Sequence, residues 1–187
     1  MLRVFLIRPG STDFDQQHRI QGTLNVPLNR QGNGEVAKLA GELENRGIEA
    51  IYYSDGQPAH QTADALAQSL KAKLKKLDNM HNLNQGLWQG MRVEEVKRKH
   101  PKVFRRFQEQ PEDVCPPDGE TVEAAKNRVQ SALRKLLKRH KDGTVALVVP
   151  EPLARLVRSR LKDCDLKNLW NPDHDHSRWE LIEVHQA

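Results

Sequence analysis

Arg8 ends an apolar run, residues 4–7, and opens a polar, glycine-containing turn, Pro9-Gly10-Ser11-Thr12, that continues to Arg19-Ile20-Gln21-Gly22. A β-type run feeding such a turn sets side chains at the carboxyl edge of an α/β sheet, where ligands bind. Three histidines, His18, His60 and His81, fall in or near predicted loops and are expected as solvated side chains. Near the end of the chain, Asp173-His174-Asp175-His176 offers metal-ligand types. Neighbours in an extended segment point to opposite sides, so an exposed turn is expected there, with no metal and no other cofactor. Lysine and arginine concentrate in three runs, 71–76, 97–106 and 134–141. Their plain reading is solvated helix faces. The functional reading is a field that attracts phosphorylated or nucleic-acid partners. No aromatic residues interleave the runs at a base-stacking spacing, so nucleic acid is not the expected partner.

The elements that must position these residues follow from length and pattern. At 187 residues with a formal net charge of +5 and a pI near 9.3, the chain fits one domain. A chain of this size buries roughly 70% of its unfolded surface and needs no staple. Cys115 and Cys164 read as ordinary thiols of a reducing compartment. The N-terminal apolar run is too short for a secretory signal, and no stretch approaches the ~20 apolar residues of a membrane span. A cytoplasmic protein without membrane contact is expected.

Helical periodicity places Val36, Leu39, Ala40 and Leu43 on one face, with Gly47 as the expected C-cap. Ala50–Tyr53 is a short buried-type strand, and a helix over 59–70 turns Ala63, Leu66 and Leu70 inward. Strand, loop, helix, strand, helix is the grammar of a parallel sheet with crossover helices. Residues 77–89 are irregular, 93–106 form short helical pieces broken at Pro101, and Pro111, Pro116 and Pro117 make a rigid connector. Thr121 is the expected N-cap of the longest helix, Val122–Arg139. The run 144–149 is continuous enough to be a central strand. Pro150-Glu151-Pro152 breaks it before a helix over 153–161, and Trp179–Val184 is the last strand. Trp88 and Trp179 are expected as packing residues.

The motifs in order resemble the histidine phosphatase superfamily, the phosphoglycerate mutase-like proteins. The opening, Arg8-Pro9-Gly10-Ser11-Thr12 with Arg19-Ile20-Gln21-Gly22, is similar to the family's Arg-His-Gly-Glu-Thr and Arg-x-Gln-Gly. Asn25-Val26-Pro27-Leu28-Asn29 with Gly32 is similar to Val-Pro-Leu-Asn/Thr and its downstream glycine. The stretch 53–63, YSDGQPAHQTA, resembles Ser-Ser-x-x-x-Arg-Ala-x-Gln-Thr-Ala. Gly86-Leu87-Trp88-Gln89-Gly90 resembles Gly-x-Trp-Glu-Gly, 116–121 resembles Pro-Pro-Gly-Gly-Glu-Ser, and 144–149 sits at the strand before Ser-His-Gly. The resemblance covers nearly the whole chain. It implies a three-layer α/β/α fold with a mostly parallel central sheet, and 86–118 as a partly helical insertion over the pocket.

The departures fall where the family does chemistry. Pro9 stands at the phosphorylated histidine, and Pro58 at the arginine that holds the phosphoryl oxygens. Asn82 stands at the acidic proton donor, and Glu151 on or beside the second histidine. Ser11 takes the place of a glutamate, and Asp15 that of an asparagine common in the loop. Proline has no side-chain nucleophile, asparagine is no general acid, and a carboxylate opposes a dianionic substrate. No catalytic residue of the family mechanism is therefore expected. Arg8, with Ser11, Arg19 and His60, makes up the set of anion-binding candidates the resemblance implies. Three functions are compatible with these residues. One is a pseudoenzyme with a binding or regulatory role, whose partner is a phosphorylated small molecule or protein. Another is a phosphatase whose site is rebuilt around Arg8 with Asp15, His60 or Glu151. The third is a basic polyanion binder.

Overall fold

The computed structural model describes residues 1–166, 169 and 178–185. In the first strand, β1 (Leu2–Ile7), side chains alternate with period two. Leu2, Val4 and Leu6 join one apolar cluster, and Phe5 and Ile7 join another on the opposite face. A strand apolar on both faces must be covered on both.

The chain then makes one short helical turn, α1 (Asp13–Gln16), and helix α2 (Arg30–Leu43). Strand β2 (Ala50–Tyr53), helix α3 (Gln57–Leu70) and strand β3 (Lys73–Lys76) follow. After an irregular stretch come α4 (Val93–Lys99), α5 (Pro101–Glu109) and α6 (Val122–Arg139). The chain closes with strand β4 (Gly143–Val148), helix α7 (Leu153–Lys162) and strand β5 (Trp179–Val184). The sheet order is β3-β2-β4-β1-β5. All neighbours are parallel except β5, which runs antiparallel to β1. Helices α2 and α3 cover the Phe5, Ile7, Ile51, Ala146 and Val148 face. Helices α6 and α7 cover the face of Val4, Tyr52, Val145 and Leu147. The result is the expected α/β/α sandwich, with β4 in the centre of the sheet.

Local chemistry explains the boundaries. Asn29 caps α2 through Gly32 N–H at 2.8 Å, and Thr121 caps α6 through Ala124 N–H at 3.2 Å. Two expectations fail. Helix α2 stops at Leu43, and Gly47, at φ 71°, lies in the turn beyond it. The apolar stripe has run out by then, and Asn45 has already taken a left-handed conformation at φ 63°. The first basic run is also not a helix face. Lys71, at φ 55°, ends α3, and residues Lys73–Lys76 form the sheet's edge strand. Lysine-rich sequence suits an edge, where charge discourages further strand pairing.

Helices α4 and α5 stand apart from the sheet around their own small core of Trp88, Val96, Phe107 and Val114. They join the opening loop through Ile20 N–H to the Met91 carbonyl at 2.9 Å and Gly90 N–H to the Ile20 carbonyl at 2.8 Å. Trp179 packs on Phe5, ring centres 5.4 Å apart. Among the described residues no helix is long and apolar enough to cross a membrane, and no three metal-ligating side chains converge. The run 173–176 lies outside the described residues.

Candidate functional site

Strands β1, β2 and β4 end together. Val149 N–H reaches the Ile7 carbonyl at 2.9 Å, and Ser54 N–H reaches the Val148 carbonyl at 3.0 Å. Three connections therefore leave one sheet edge side by side. Pro9 follows β1, Asp55 and Pro58 follow β2, and Pro150-Glu151 follows the central β4. Pro9 and Pro58 are both buried. Pro58 sits in the first turn of α3, where a missing N–H costs nothing. Asn82 arrives from the irregular stretch after β3, and its Nδ2 donates to the Glu151 carbonyl at 3.1 Å. Its Oδ1 accepts from Leu83 N–H at 2.9 Å. Four of the positions at which the sequence departs from the motifs it resembles thus lie at one end of the sheet. Beside them opens a cleft of about 200 Å³, whose polar walls are Gln21, Thr23, Asn25, Asp55, His81 and Asn82. No described wall residue comes from 86–118.

The anion-binding candidates sit in distinct local surroundings. Arg8 is half-buried directly after β1, and its charge reaches Glu151. The Ser11 hydroxyl donates to Glu35 Oε1 at 3.0 Å and accepts from Arg178 Nη2 at 2.9 Å. Arg19 Nη1 donates to the Gly90 carbonyl at 2.6 Å and its Nε to Gln17 at 2.8 Å, which pins the opening loop to the α4 side. His60 is exposed on α3 and stacks on Tyr53, ring centres 4.8 Å apart. Asp15 closes a capping box at α1, accepting from Thr12 N–H at 2.7 Å. Of the rebuilt grouping Arg8, Asp15, His60 and Glu151, Arg8 and Glu151 lie within electrostatic reach of each other. His18, at φ 52°, is exposed in the turn that leads into Arg19.

The opening loop is built tightly. A Cβ on Gly32 would lie 2.1 Å from the Ser11 carbonyl oxygen, and one on Gly10 would lie 2.6 Å from the Gly32 carbonyl. Glycine at both positions lets the loop rest directly on α2. Arg178, just before β5, reaches the Pro9 carbonyl at 2.6 Å, the Ser11 hydroxyl, and Glu35 at 2.5 Å. Burial would raise the Glu35 carboxyl, but its bonds to Gln31, Ser11 and Arg178 hold it below the ordinary value.

Glu151 behaves differently. Burial pushes its carboxyl above the ordinary value, and the charges of Arg155 and Arg8 oppose this without cancelling it. Arg155 stands 3.6 Å away, and Oε2 has no hydrogen-bond partner. Ser54 Oγ and Gln85 Oε1 are also buried without partners. His81 is held below its ordinary value by burial and by the Arg128 charge, against Glu120 and Asp55. Asp55 pairs with Lys76 at 2.5 Å.

Sequence reasoning did not reach Arg178, Arg128 or Arg155. Arg178 acts across most of the chain on Pro9, and no local signal marks it. Arg128 lies on α6 and binds Glu120 at 2.6 and 2.8 Å and the His81 carbonyl at 2.8 Å, fixing the loop that carries Asn82. Its spacing from Glu120, at the foot of the same helix, was the one available hint.

Known proteins share this architecture. The description Histidine phosphatase superfamily (branch 1) matches residues 4–187. Phosphoserine phosphatase 1 of Hydrogenobacter thermophilus is 30% identical, over all of this chain and 88% of that protein. The solved structure of Bacillus stearothermophilus YhfR is 25% identical, with a TM-score of 0.87 over 99% of this chain and 92% of its own. A mycobacterial glucosyl-3-phosphoglycerate phosphatase complexed with VO3 is 21% identical, with a TM-score of 0.87 over 98% and 92%. The last likeness is one of fold alone. With its motifs in order along the sheet edge and the family match running from strand β1 onward, the chain belongs to the histidine phosphatase superfamily.

Proposed function

We propose that this protein has lost phosphohistidine-dependent phosphatase and mutase chemistry and acts by binding. The observation that carries this reading is Pro9, buried at the end of β1 where the family's nucleophile stands. Phosphoryl transfer through histidine needs a ring nitrogen that attacks phosphorus and then leaves. Losing a nucleophile that acts as part of a unit costs roughly 10⁶ in rate, or about 8 kcal/mol of barrier. The neighbouring replacements point the same way. Pro58 gives no guanidinium to grip phosphoryl oxygens, and Asn82 uses both ends of its amide on backbone groups. The names of the relatives favour an active phosphatase, but fold and ancestry do not carry function where the reacting groups differ.

The test is turnover of p-nitrophenyl phosphate, phosphoserine and 3-phosphoglycerate by the whole chain, together with acid-quench trapping of labelled phosphate. The expected result is no turnover above background and no covalent adduct. Turnover that disappears in Arg8→Ala, or a trapped phospho-adduct on any side chain, overturns the reading. A combined Pro9→His, Pro58→Arg, Asn82→Glu, Glu151→His variant is expected to regain phosphohistidine, since the backbone still brings the four positions to one edge.

A further inference from the structure

Of the three basic runs in the sequence, 71–76 lies at the edge strand and 97–106 on the outlying helices α4 and α5. The third, 134–141, closes the long helix α6. Here a second element brings in a further cation. Gln130 and Arg134 stand one helical turn apart on α6, and Lys138 stands one turn beyond. Arg160 comes from α7, which packs alongside. With its amide oriented by its neighbours, half-buried Gln130 accepts through Oε1 from Arg134 Nη2 at 2.8 Å and from Arg160 Nη2 at 3.2 Å. One neutral oxygen thus gathers two guanidinium groups from separate helices.

Other cations of these two helices have carboxylate partners. On α7, Arg155 pairs with Glu151, while Arg158 and Lys162 both pair with Glu180. On α6, Lys126 pairs with Glu112 and Arg128 with Glu120. No ion pair among the described residues reaches Arg134, Lys138 or Arg160. The exposed Asp163 and Asp165, just beyond α7, take part in none of them either. Like charges held this close repel, and a guanidinium makes its stronger hydrogen bonds to an ionised acceptor. The cluster therefore lacks a negative charge.

The donor set selects the anion. Two planar forks and a flexible ammonium, spread over two helices, offer more donors than the two oxygens of a carboxylate can accept. A phosphoryl group presents three strong acceptor oxygens and up to two negative charges. All three side chains are exposed, so binding there is weak and sensitive to salt.

We infer that Arg134, Lys138 and Arg160 form a phosphoryl-binding site on the outer face of α6 and α7. The group bound is free phosphate or a phosphate carried on a protein segment, since both present the same oxygens. Helix α6 ends at Arg139 and feeds the start of β4 at Gly143, so Arg134 lies toward the opposite end of the sheet from Pro9 and Glu151. The site shares no residue with that end, and the inference stands whether or not phosphatase chemistry is lost.

The test follows the guanidinium Nε–H signals of the isotopically labelled full chain by NMR. Inorganic phosphate is titrated in while sodium chloride holds the ionic strength constant. Arg134 and Arg160 are expected to shift together and saturably in the millimolar range. Arg134→Gln or Arg160→Gln is expected to weaken the binding about tenfold, the order of one hydrogen bond to a charged group. Lys138→Gln is expected to weaken it severalfold, and Arg8→Ala to leave it unchanged. A phosphoserine peptide and its serine counterpart then identify the source. Tighter binding of the phosphopeptide than of phosphate assigns a protein-borne group, and equal or weaker binding assigns free phosphate. The inference is overturned by the absence of a saturable shift at the two arginines, or by equal shifts from acetate. Equal binding of the serine peptide and the phosphopeptide, or loss of the signal in Arg8→Ala, overturns it too.

Discussion

Two glutamates, each facing an arginine, have opposite fates in this molecule. Glu120 meets Arg128 through two close contacts, at 2.6 and 2.8 Å, with both side chains 14% exposed. Burial alone would raise its carboxyl, but the Arg128 bond and charge, helped by Asn84 N–H, hold it below the ordinary value. Glu151 meets Arg155 at 3.6 Å, keeps an orphaned oxygen, and is held above the ordinary value by burial. The first pair fixes a loop and is fully satisfied. The second stands on or beside the position at which the resemblance implies a histidine, and it leaves one carboxylate oxygen without a hydrogen-bond partner. A pair that serves the fold is closed on itself, while groups at a ligand edge are left open.

The sharpest way to break the comparison is to remove Arg128. Arg128→Ala leaves Glu120 buried without its partner and frees the carbonyls of Asn79, His81 and Asn82. Breaking a buried pair from one side costs roughly 3–5 kcal/mol; the partial exposure here puts the expected loss near the lower end, read from urea unfolding. A loss below about 1 kcal/mol, the value for a surface pair, would show that the pair is decorative. Glu120→Gln is milder, because an amide still accepts from Arg128. A loss of about 1–2 kcal/mol is expected at neutral pH, the difference between a charge-assisted and a neutral bond. Its sign with pH is fixed. The folded carboxyl titrates below its unfolded value, so its contribution is present above the unfolded value and disappears as pH falls through the folded one. The variant should therefore approach the wild type on acidification.

Glu151→Gln reverses the sign. With the folded carboxyl above its unfolded value, the folded state holds its proton more tightly. Ionisation therefore destabilises the protein as pH rises from the unfolded value through the folded one. Replacing the group by a neutral amide is expected to raise the melting temperature by a few degrees above that window and by nothing below it. Melting curves at a series of pH values check this. A variant less stable than the wild type at neutral pH would show that Arg8 and Arg155 require the negative charge.

Much of the fold could be read from the sequence because its signals are local. The alternation in β1, the periodicity of Ala125, Val129 and Leu133 in α6, and the Thr121 cap each depend on neighbours a few residues apart. The edge strand β3 could not be read, since Lys73–Lys76 carries a single apolar residue, Leu74, and its pairing comes from β2. The site divides in the same way. Motif order alone identified Pro9, Pro58, Asn82 and Glu151 as the positions to watch, and the ends of three parallel strands set them together. Ser11 and Arg19 are candidate anion ligands by resemblance alone, and the partners they hold in the fold could not be seen in one dimension. Those partners, Glu35, Arg178 and Gly90, come from distant segments.

The smallest expected effect tests the open half of the comparison most directly. Ser54 is fully buried beside Asp55, its N–H is paired with the Val148 carbonyl, and its hydroxyl is not paired. Burying a hydroxyl without a partner costs free energy that the folded state never recovers. Ser54→Ala removes that burden and keeps the strand hydrogen bond, leaving a gap no larger than one oxygen atom. Stability within about 0.5 kcal/mol of the wild type, or slightly above it, is expected, because removing an unpaired group avoids the usual penalty of about 1–3 kcal/mol for breaking a buried bond. A loss inside that penalty range would mean that Ser54 does have a partner in the folded protein. The sheet edge would then be as complete as the Glu120–Arg128 clamp, and the contrast between the two regions would disappear.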